Sequence, residues 1–262
     1  MGEHPLSYNK FSIVLPVTSG PLNTRVIQFK DAVNSIIRQT YKDWELIIVE
    51  DGCLDELPQI ADDFAKQDER IKVIHHDGNL QRSKSRNDGM KAATNDWICW
   101  MDSDDEYLKT YLEVLNSYMT EDFPGYMCYS YGAIAVRMGY QSVRQAPDLK
   151  EEGEGMENFS SGSIGTGSFC FHKSVLDTVG YLPETLSPHK FAELCKEESP
   201  KLIEMFGGNY KDGGRDLGNP WGDDYYMFWK ITRRFKSKAL PIAPYIQFVR
   251  RQGFSFQPKR DY

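Results

Sequence analysis

Three carboxylates crowd into four consecutive residues, Asp102-Ser103-Asp104-Asp105. They follow a short apolar run at residues 97–101 that has the length and composition of a buried strand. Carboxylates this close repel one another unless a cation or hydrogen-bond donors neutralise them. Oxygen-rich clusters of this kind suit hard divalent ions such as Mg²⁺ or Mn²⁺. An acidic helix N-terminus would use the same residue types, so these four residues by themselves predict either a metal site or a helix cap.

A second acidic pair, Asp223-Asp224, follows a glycine-rich stretch at residues 207–218. Glycine allows a backbone to approach a ligand closely. Apolar side chains then recur at the spacing of a helix, at Tyr225, Phe228, Trp229 and Phe235. Asp223 and Asp224 therefore stand at a predicted helix N-terminus, where they would serve as a cap, as acid–base groups, or as both.

The elements that position these acids are predicted by apolar periodicity. Short apolar runs predict strands at residues 11–17, 44–49, 71–74 and 97–101. Helical spacing predicts helices at residues 26–37, 54–65, 79–93 and 107–119. Further strands are predicted within 126–136, at the start of 168–175, and at 244–250. The regular alternation in the first half predicts a parallel, doubly wound α/β sheet.

Polar clusters lie at the ends of three predicted strands. They are Pro16-Val17-Thr18, Glu50-Asp51-Gly52 and Asp102-Ser103-Asp104. Ligands of doubly wound sheets bind beyond the carboxyl ends of the strands. Together the three clusters predict one pocket that combines a metal position with hydrogen-bond acceptors.

Two common nucleotide-binding motifs are missing from the sequence. No GxGxxG follows the first strand, and GxxxxGK[ST] does not occur. A dinucleotide-binding domain and a P-loop NTPase are therefore disfavoured. If a nucleotide binds, its phosphates must be neutralised by a metal and by basic side chains, for which Arg82 and Arg86 are candidates. We expect Lys84 to lie on a solvated helix face.

The composition is that of a folded protein with little affinity for nucleic acid. The 262 residues are 40% hydrophobic and 13% aromatic, which is ample for a core. A formal net charge of −7 argues against a broad nucleic-acid-binding surface.

The cysteines and the first ten residues bear on the cellular compartment of the protein. Cysteines at positions 53, 99, 128, 170 and 195 form no CxxC pair and are odd in number, so neither a zinc knuckle nor a disulfide framework is indicated. Residues 1–10 lack the parts of a signal peptide, and no apolar run is long enough to span a membrane. We expect a cytoplasmic protein whose membrane contact, if any, is peripheral.

The motifs, taken in order, carry a family resemblance. Residues 11–17, Val49-Glu50-Asp51-Gly52, Arg86-Asn87-Asp88-Gly89 and residues 101–105 resemble the family 2 glycosyltransferases. The match is good over about 10–115 and looser beyond. The resemblance implies a GT-A fold, which is a Rossmann-like, mostly parallel sheet flanked by helices, with an acceptor-side extension. It implies one domain over 1–262, with a nucleotide-sugar-binding half at about 10–105 and an acceptor-binding, catalytic-base half at about 106–262.

The resemblance also implies a nucleotide-sugar donor, usually a UDP-sugar. Carried over by position, Pro16 and Thr18 would line the base pocket and Asp51 would hydrogen-bond the uracil. Arg82 or Arg86 would lie near the base or the diphosphate. Glu50 stands where the family often has an aspartate.

A Mn²⁺ or Mg²⁺ ion and a general base complete the implied site. Asp102 and Asp104 form the DxD motif, with Asp102 toward the ribose and the metal and Asp104 as the most direct metal ligand, which leaves Asp105 as a helix cap. Asp224 falls on the position of the general base that activates the acceptor hydroxyl, with Asp223 as its neighbour and alternative. The last histidine is His189, so the tail offers no histidine as a third metal ligand; Arg250 or Arg251 there is a candidate for binding diphosphate.

The resulting prediction is a metal-dependent, inverting glycosyltransferase of the kind that serves polysaccharide biosynthesis. Its acceptor would be a saccharide or another hydroxyl compound. Two alternatives remain open at this point. One is a sugar-1-phosphate nucleotidyltransferase, and the other is a non-catalytic module that binds nucleotide or carbohydrate.

Overall fold

The computed structural model describes residues 9–20, 24–118, 127–130, 133–137, 140–144, 167, 169–184, 223–235, 237–240 and 245–248. The glycine-rich stretch at 207–218 and the basic pair Arg250-Arg251 lie outside these residues. The side chains of Asp223 and Asp224 also lie outside the description, although the backbone of both is included.

The first half alternates strands and helices, as predicted. Its elements are β1 (Phe11–Val17), α1 (Thr24–Ile37), β2 (Trp44–Glu50), α2 (Leu57–Gln67), β3 (Ile71–His75), α3 (Arg82–Ala92) and β4 (Trp97–Trp100). β1 pairs in parallel with both β2 and β4, and β2 pairs in parallel with β3. The predicted parallel, doubly wound arrangement is therefore confirmed.

The second half is less regular. Its elements are β5 (Glu106–Tyr107), α4 (Tyr111–Tyr118), β6 (Met127–Ser130), β7 (Ala133–Arg137), β8 (Tyr140–Arg144), β9 (Phe169–His172), a 3-10 turn (Lys173–Val175), α5 (Leu176–Val179), α6 (Asp223–Arg234), β10 (Ser237–Leu240) and β11 (Tyr245–Phe248). The strand that runs into a helical turn near residue 172 and the helix that begins at Asp223 agree with the sequence prediction. His172 caps the 3-10 turn by accepting from the Ser174 N–H, which is a structural role.

Within the described residues, the strands form two sheets. The larger sheet has the order β10-β6-β9-β4-β1-β2-β3, and the smaller has the order β5-β11-β7-β8. β9 runs antiparallel to both of its neighbours, β4 and β6. One continuous sheet therefore carries strands from both sides of residue 105.

Alternate residues of β1 face opposite layers of the core. Ile13 and Leu15 pack with α1 and α2, whereas Val14 packs with α3 and α6. The central sheet is thus covered on both faces, which explains why its parallel strands are almost continuously apolar. No helix among the described residues is long and apolar enough to cross a membrane.

The prediction of a helix over residues 107–119 is wrong at its start. Tyr107 belongs to β5, which pairs antiparallel with β11, and α4 begins only at Tyr111. The Tyr107 and Tyr111 rings stack with centroids 4.1 Å apart, so both positions are apolar and buried without sharing a helix. The Asp105 N–H donates to the Asp102 carbonyl oxygen at 3.2 Å and closes a turn. Because α4 begins only at Tyr111, Asp105 is not the predicted helix cap.

Candidate active site at the carboxyl edge of the sheet

Backbone hydrogen bonds align the ends of the central strands. The Asp51 N–H donates to the Val17 carbonyl at 2.9 Å, and the Met101 N–H donates to the Val14 carbonyl at 3.0 Å. The predicted polar clusters after β1, β2 and β4 therefore meet at one edge of the sheet. This is the edge at which ligands of such folds bind.

Asp51 is buried and holds the loop that leads into α3. Its Oδ1 accepts from the Leu80 N–H at 2.8 Å, and its Oδ2 accepts from the Gln81 N–H at 3.1 Å. The His76 Nδ1 lies 2.8 Å from the same Oδ1. An ionised carboxylate has about four acceptor positions, so these three contacts leave capacity for a ligand that donates a hydrogen bond.

The loop before α3 has an unusual backbone. Gln81 has a φ of 79°, which is rare for a residue other than glycine. Gly52, which follows Asp51, has a φ of 66°, and a Cβ there would overlap the backbone of Gly78. The turns after β2 and β3 therefore pack against each other, and the strain at Gln81 lies beside the Asp51 carboxylate.

Thr18 and Pro16 lie at the end of β1, one on each side of Val17. Thr18 is half-buried, and its Oγ1 accepts from the Asn79 Nδ2 at 3.1 Å. Pro16 is half-buried and pairs in register with Val49 of β2. Arg82, also half-buried, is the first residue of α3. Pro16 and Thr18 thus flank Val17, whose carbonyl accepts from the Asp51 N–H, and Arg82 follows Gln81, whose N–H donates to the Asp51 carboxylate.

Arg86 lies behind the acidic cluster. Its side chain is fully buried, and its Nη2 donates to the Asp102 Oδ1 at 3.0 Å. The guanidinium carbon also lies 4.9 Å from the centroid of the Trp100 ring. The side chain therefore orients Asp102 from the interior, between α3 and β4.

Asp104 is contacted from another helix. The Arg25 Nη1, at the start of α1, lies 3.7 Å from the Asp104 Oδ2 and 3.4 Å from the Ser103 Oγ. Arg25 is not among the predicted site residues, because nothing in its local pattern distinguishes it from an ordinary charged helix residue. Two arginines, from α3 and α1, thus offset the charge of the two aspartates of the DxD motif.

The two DxD carboxylates fit part of a divalent-metal site. The side chains of Asp102 and Asp104 are 26% and 31% exposed, so both reach the solvent at the sheet edge. The described residues contain no cluster of three or more potential metal-ligating side chains. Mg²⁺ is commonly bound by one or two carboxylates together with substrate phosphates and water, and this donor set matches that pattern.

Two adjacent histidines, neither of them predicted as a site residue, lie at the end of β3; His76 contacts Asp51, whereas His75 lies beside the site. The His75 Nδ1 lies 3.1 Å from the Glu50 Oε2, and its Nε2 lies 3.0 Å from the Asp62 Oδ1 of α2. Burial lowers the pKa of His75, but the hydrogen bonds to Glu50 and Asp62 outweigh it and raise the pKa. His75 pairs with Glu50 across β2 and β3, a register that no local pattern in the sequence predicts.

Each residue of the Arg-Asn-Asp-Gly motif within α3 makes a contact of its own, and that of Arg86 with Asp102 is described above. The Asn87 side chain makes two hydrogen bonds with the backbone of Leu182, donating to its carbonyl at 2.7 Å and accepting from its N–H at 2.9 Å. A Cβ at Gly89 would overlap the Val14 side chain of β1, so the glycine allows α3 to lie close to the sheet. Lys84 pairs with Asp88 at 2.6 Å, on the partly exposed helix face where it was expected.

The helix that begins with Asp223 and Asp224 packs against the strand that leads into Asp102. The Phe228 ring, one turn after Asp224, lies 5.4 Å from the Trp100 ring between centroids. Trp100 is the last residue of β4. The core contact therefore anchors the start of α6 to the strand that ends in the DxD motif.

Known proteins share both sequence and fold with this chain. The family model described as Glycosyl transferase family 2 matches residues 28–180, more than half of the chain. The uncharacterized glycosyltransferase EpsJ of Bacillus subtilis (strain 168) is 46% identical over 76 residues, which are 29% of this chain and 22% of that protein. An uncharacterized glycosyltransferase of Rickettsia bellii (strain RML369-C) is 27% identical over 223 residues, 81% of this chain and 29% of that protein. The chain therefore spans less than a third of the length of these two relatives.

A solved structure resembles the whole fold. The crystal structure of S. aureus TarS 1-349 in complex with UDP superposes with a TM-score of 0.61 at 18% identity, over 92% of this chain and 60% of that one. The same protein has also been solved in complex with UDP-GlcNAc. At this identity the likeness shows the fold alone, and it confirms the predicted GT-A arrangement of a mainly parallel sheet flanked by helices.

Proposed function

This chain belongs to glycosyl transferase family 2, and from that membership we propose that it transfers a sugar from a UDP-sugar to an acceptor hydroxyl, with inversion and with a divalent metal. The observation that carries the proposal is the meeting of Asp51 and the DxD pair at one edge of the sheet. A nucleotide-sugar has a base and a diphosphate. The buried Asp51 can accept a hydrogen bond from the base, and the partly exposed carboxylates of Asp102 and Asp104 can hold a metal beside the diphosphate. The UDP and UDP-GlcNAc complexes of TarS support the choice of nucleotide.

We assign the nucleobase to Asp51. The imide N–H of uracil is a donor, and the Asp51 carboxylate retains acceptor capacity beyond its contacts with Leu80, Gln81 and His76. Cytosine has an acceptor at the equivalent ring nitrogen and would meet the carboxylate unfavourably. Pro16 and Thr18 would line the base from β1, and Arg82 would face the ribose or diphosphate from the start of α3.

We assign the metal, Mn²⁺ or Mg²⁺, to Asp104 and Asp102. When bound, the ion would supply positive charge where the leaving diphosphate develops negative charge. Arg86 orients the Asp102 carboxylate, because its buried guanidinium donates a charge-assisted hydrogen bond to Oδ1. Arg25 adds positive charge beside Asp104. The two arginines would therefore prevent the carboxylates from repelling each other before the donor arrives.

We assign the general base to Asp224, with Asp223 as its neighbour. Both residues stand in the first turn of α6, where the helix dipole favours the charged form of a carboxylate. An aspartate there is ionised at neutral pH and can accept the proton of an acceptor hydroxyl as that oxygen attacks the anomeric carbon. The packing of Phe228 on Trp100 supports the assignment, because it fixes the helix relative to the DxD strand.

The proposal extends to the acceptor substrate and to the cellular location of the protein. We propose a saccharide hydroxyl, as in polysaccharide biosynthesis, and a cytoplasmic reaction with at most peripheral membrane contact. Among the described residues, Cys53, Cys99 and Cys170 form no disulfide, although Cys99 and Cys170 face each other in the register of β4 and β9. Cysteines without disulfides are typical of proteins in a reducing compartment.

A binding screen tests the proposal. The thermal midpoint of the full chain would be measured with UDP-, GDP-, CMP- and dTDP-sugars, each with and without Mn²⁺. We expect the largest stabilisation from a UDP-sugar with Mn²⁺, because a ligand that binds only the folded state raises its apparent stability. Absence of any Mn²⁺-dependent stabilisation would overturn the proposal. Formation of the glycosylated acceptor, together with UDP, would establish transfer.

A further inference from the structure

His76 lies between two carboxylates at the end of β3. Its Nδ1 is 2.8 Å from the Asp51 Oδ1, and its Nε2 is 3.1 Å from the Asp88 Oδ2 of α3. The side chain is only 6% exposed. The imidazole therefore links the strand end that carries the candidate nucleobase acceptor to the helix that carries Arg86.

The two contacts bear on the charge of the ring. A neutral imidazole has one N–H and one acceptor nitrogen, whereas the imidazolium has two N–H donors. Both neighbours of His76 are carboxylate oxygens, which only accept when ionised. Both contacts can be hydrogen bonds at the same time only if the ring is cationic.

We infer that His76, as an imidazolium, is the positioning residue that holds Asp51 in its nucleobase-binding orientation, and this inference rests on the proposed function. The His76 cation fixes the Asp51 carboxylate on one side, while the backbone N–H groups of Leu80 and Gln81 fix it on the other. Asp88 accepts from the other ring nitrogen, Nε2, and so holds the His76 cation in place. Loss of the proton removes one of the two hydrogen bonds and leaves a carboxylate facing a nitrogen lone pair.

The groups around Asp88 favour its ionised form. Burial raises the pKa of Asp88, but the hydrogen bond and charge of Lys84, the hydrogen bond of His76 and the charge of Lys91 outweigh it and lower the pKa. Lys91 is itself shared with Glu184, at 3.2 Å. Asp88 therefore stays ionised at neutral pH and is available as the outer partner of His76.

His75 provides a matched comparison. It bridges Glu50 of β2 and Asp62 of α2 in the same manner, but it does not touch Asp51, and its side chain is 42% exposed. Replacing His75 therefore removes a similar bridge from the neighbouring position. The nucleobase acceptor itself keeps all of its contacts in that variant.

The charge state is tested directly on the full chain without ligand. The ring ¹⁵N chemical shifts of His76 would be measured by NMR from about pH 5.5 to about pH 8.5, a range that spans the ordinary histidine pKa of about 6.5. We expect two protonated ring nitrogens at pH 7 in the wild type. We expect deprotonation at lower pH in Asp88→Asn, because that variant loses the outer negative charge. A neutral His76 ring at pH 7 in the wild type would overturn the inference, whatever the chain binds.

The positioning role is tested by UDP affinity over the same pH range, with Mn²⁺ present. We expect the wild-type affinity to fall as pH rises and His76 loses its proton. His76→Gln should bind UDP about tenfold more weakly at pH 6, and its affinity should not show this decline. In Asp88→Asn the decline should move to lower pH, and in His75→Gln the wild-type profile should persist. An unchanged profile in both His76→Gln and Asp88→Asn would overturn the role, whereas a wild-type chain that fails to bind UDP at every pH would overturn the proposed function instead.

Discussion

The Arg86 guanidinium donates to the Asp102 carboxylate across 3.0 Å although the arginine side chain is fully buried. Arg86 belongs to α3 and Asp102 follows β4, so the contact joins the interior of the sheet to the acidic cluster at its edge. The Trp100 ring beneath the guanidinium adds a cation–π contact. One side chain therefore helps to hold the fold and orients a candidate ligand.

Replacing Arg86 with alanine is expected to impair both roles. The variant loses a charge-assisted hydrogen bond and leaves a cavity beside Trp100, so we expect a loss of about 2–4 kcal/mol in the free energy of unfolding. Lys66→Ala removes the solvent-exposed pair with Asp63 and should cost much less, because exposed ion pairs contribute little to stability. Urea denaturation of both variants measures the difference. An Arg86→Ala protein as stable as Lys66→Ala would show that the buried pair contributes little.

The DxD pair is expected to carry the metal dependence. Asp104→Asn removes a charged ligand, so the additional stabilisation by UDP that requires Mn²⁺ should be lost, and chelation with EDTA should have the same effect on the wild type. Asp63→Asn, an exposed carboxylate on α2, serves as the control. Thermal denaturation with UDP, with and without Mn²⁺, makes the comparison. If the stabilisation of Asp104→Asn by UDP still depended fully on Mn²⁺, Asp104 would not be a metal ligand.

Asp224 is expected to affect transfer without affecting donor binding. Asp224→Asn removes the proton acceptor but keeps the size of the side chain, so turnover should fall by about 10²–10⁴-fold, the usual contribution of a general base. UDP affinity should stay near that of the wild type. Asp223→Asn is the matched control and should retain most of its turnover. If Asp223→Asn loses turnover and Asp224→Asn retains it, the general base is Asp223.

Glu45, at the opposite end of β2 from Asp51, is expected to contribute a pH-dependent part of the stability. Burial raises its pKa, but hydrogen bonds from Lys72, Ser12 and Thr94 outweigh this effect and lower the pKa from 4.5 to about 2. Because the folded-state pKa lies below the unfolded value, the stabilisation is present above pH 4.5 and is lost as pH falls toward about 2.

The free energy of unfolding of the wild type and of Glu45→Gln tests this contribution between pH 7 and low pH. The difference between the two proteins should be largest at neutral pH and should shrink as pH falls below 4.5. Glu113→Gln provides a control, since this carboxylate accepts from Thr40 at the exposed surface. A constant difference across the pH range would contradict the prediction.

The sequence by itself determined the strands, most of the helices and the order of the acidic motifs. Those features depend on local patterns: β1, β2 and β4 are apolar runs of strand length, and the DxD motif follows the last of them directly. Helical periodicity failed at residue 107, because Tyr107 and Tyr111 are both buried but reach the core from different elements. A spacing of four residues cannot distinguish one helix from a strand followed by a helix.

Only the tertiary structure decided which side chains serve the acids. Arg25 is far from Asp104 in the chain, and His76 meets Asp51 and Asp88 only after β2, β3 and α3 have packed together. The pairing of β2 with β3 sets the histidines opposite Glu50 and Asp51, and the small Gly89 lets α3 approach β1 closely enough for Arg86 to reach Asp102. These contacts depend on strand register and on the distance between layers, which are set by packing across the whole sheet and not by any local run of residues.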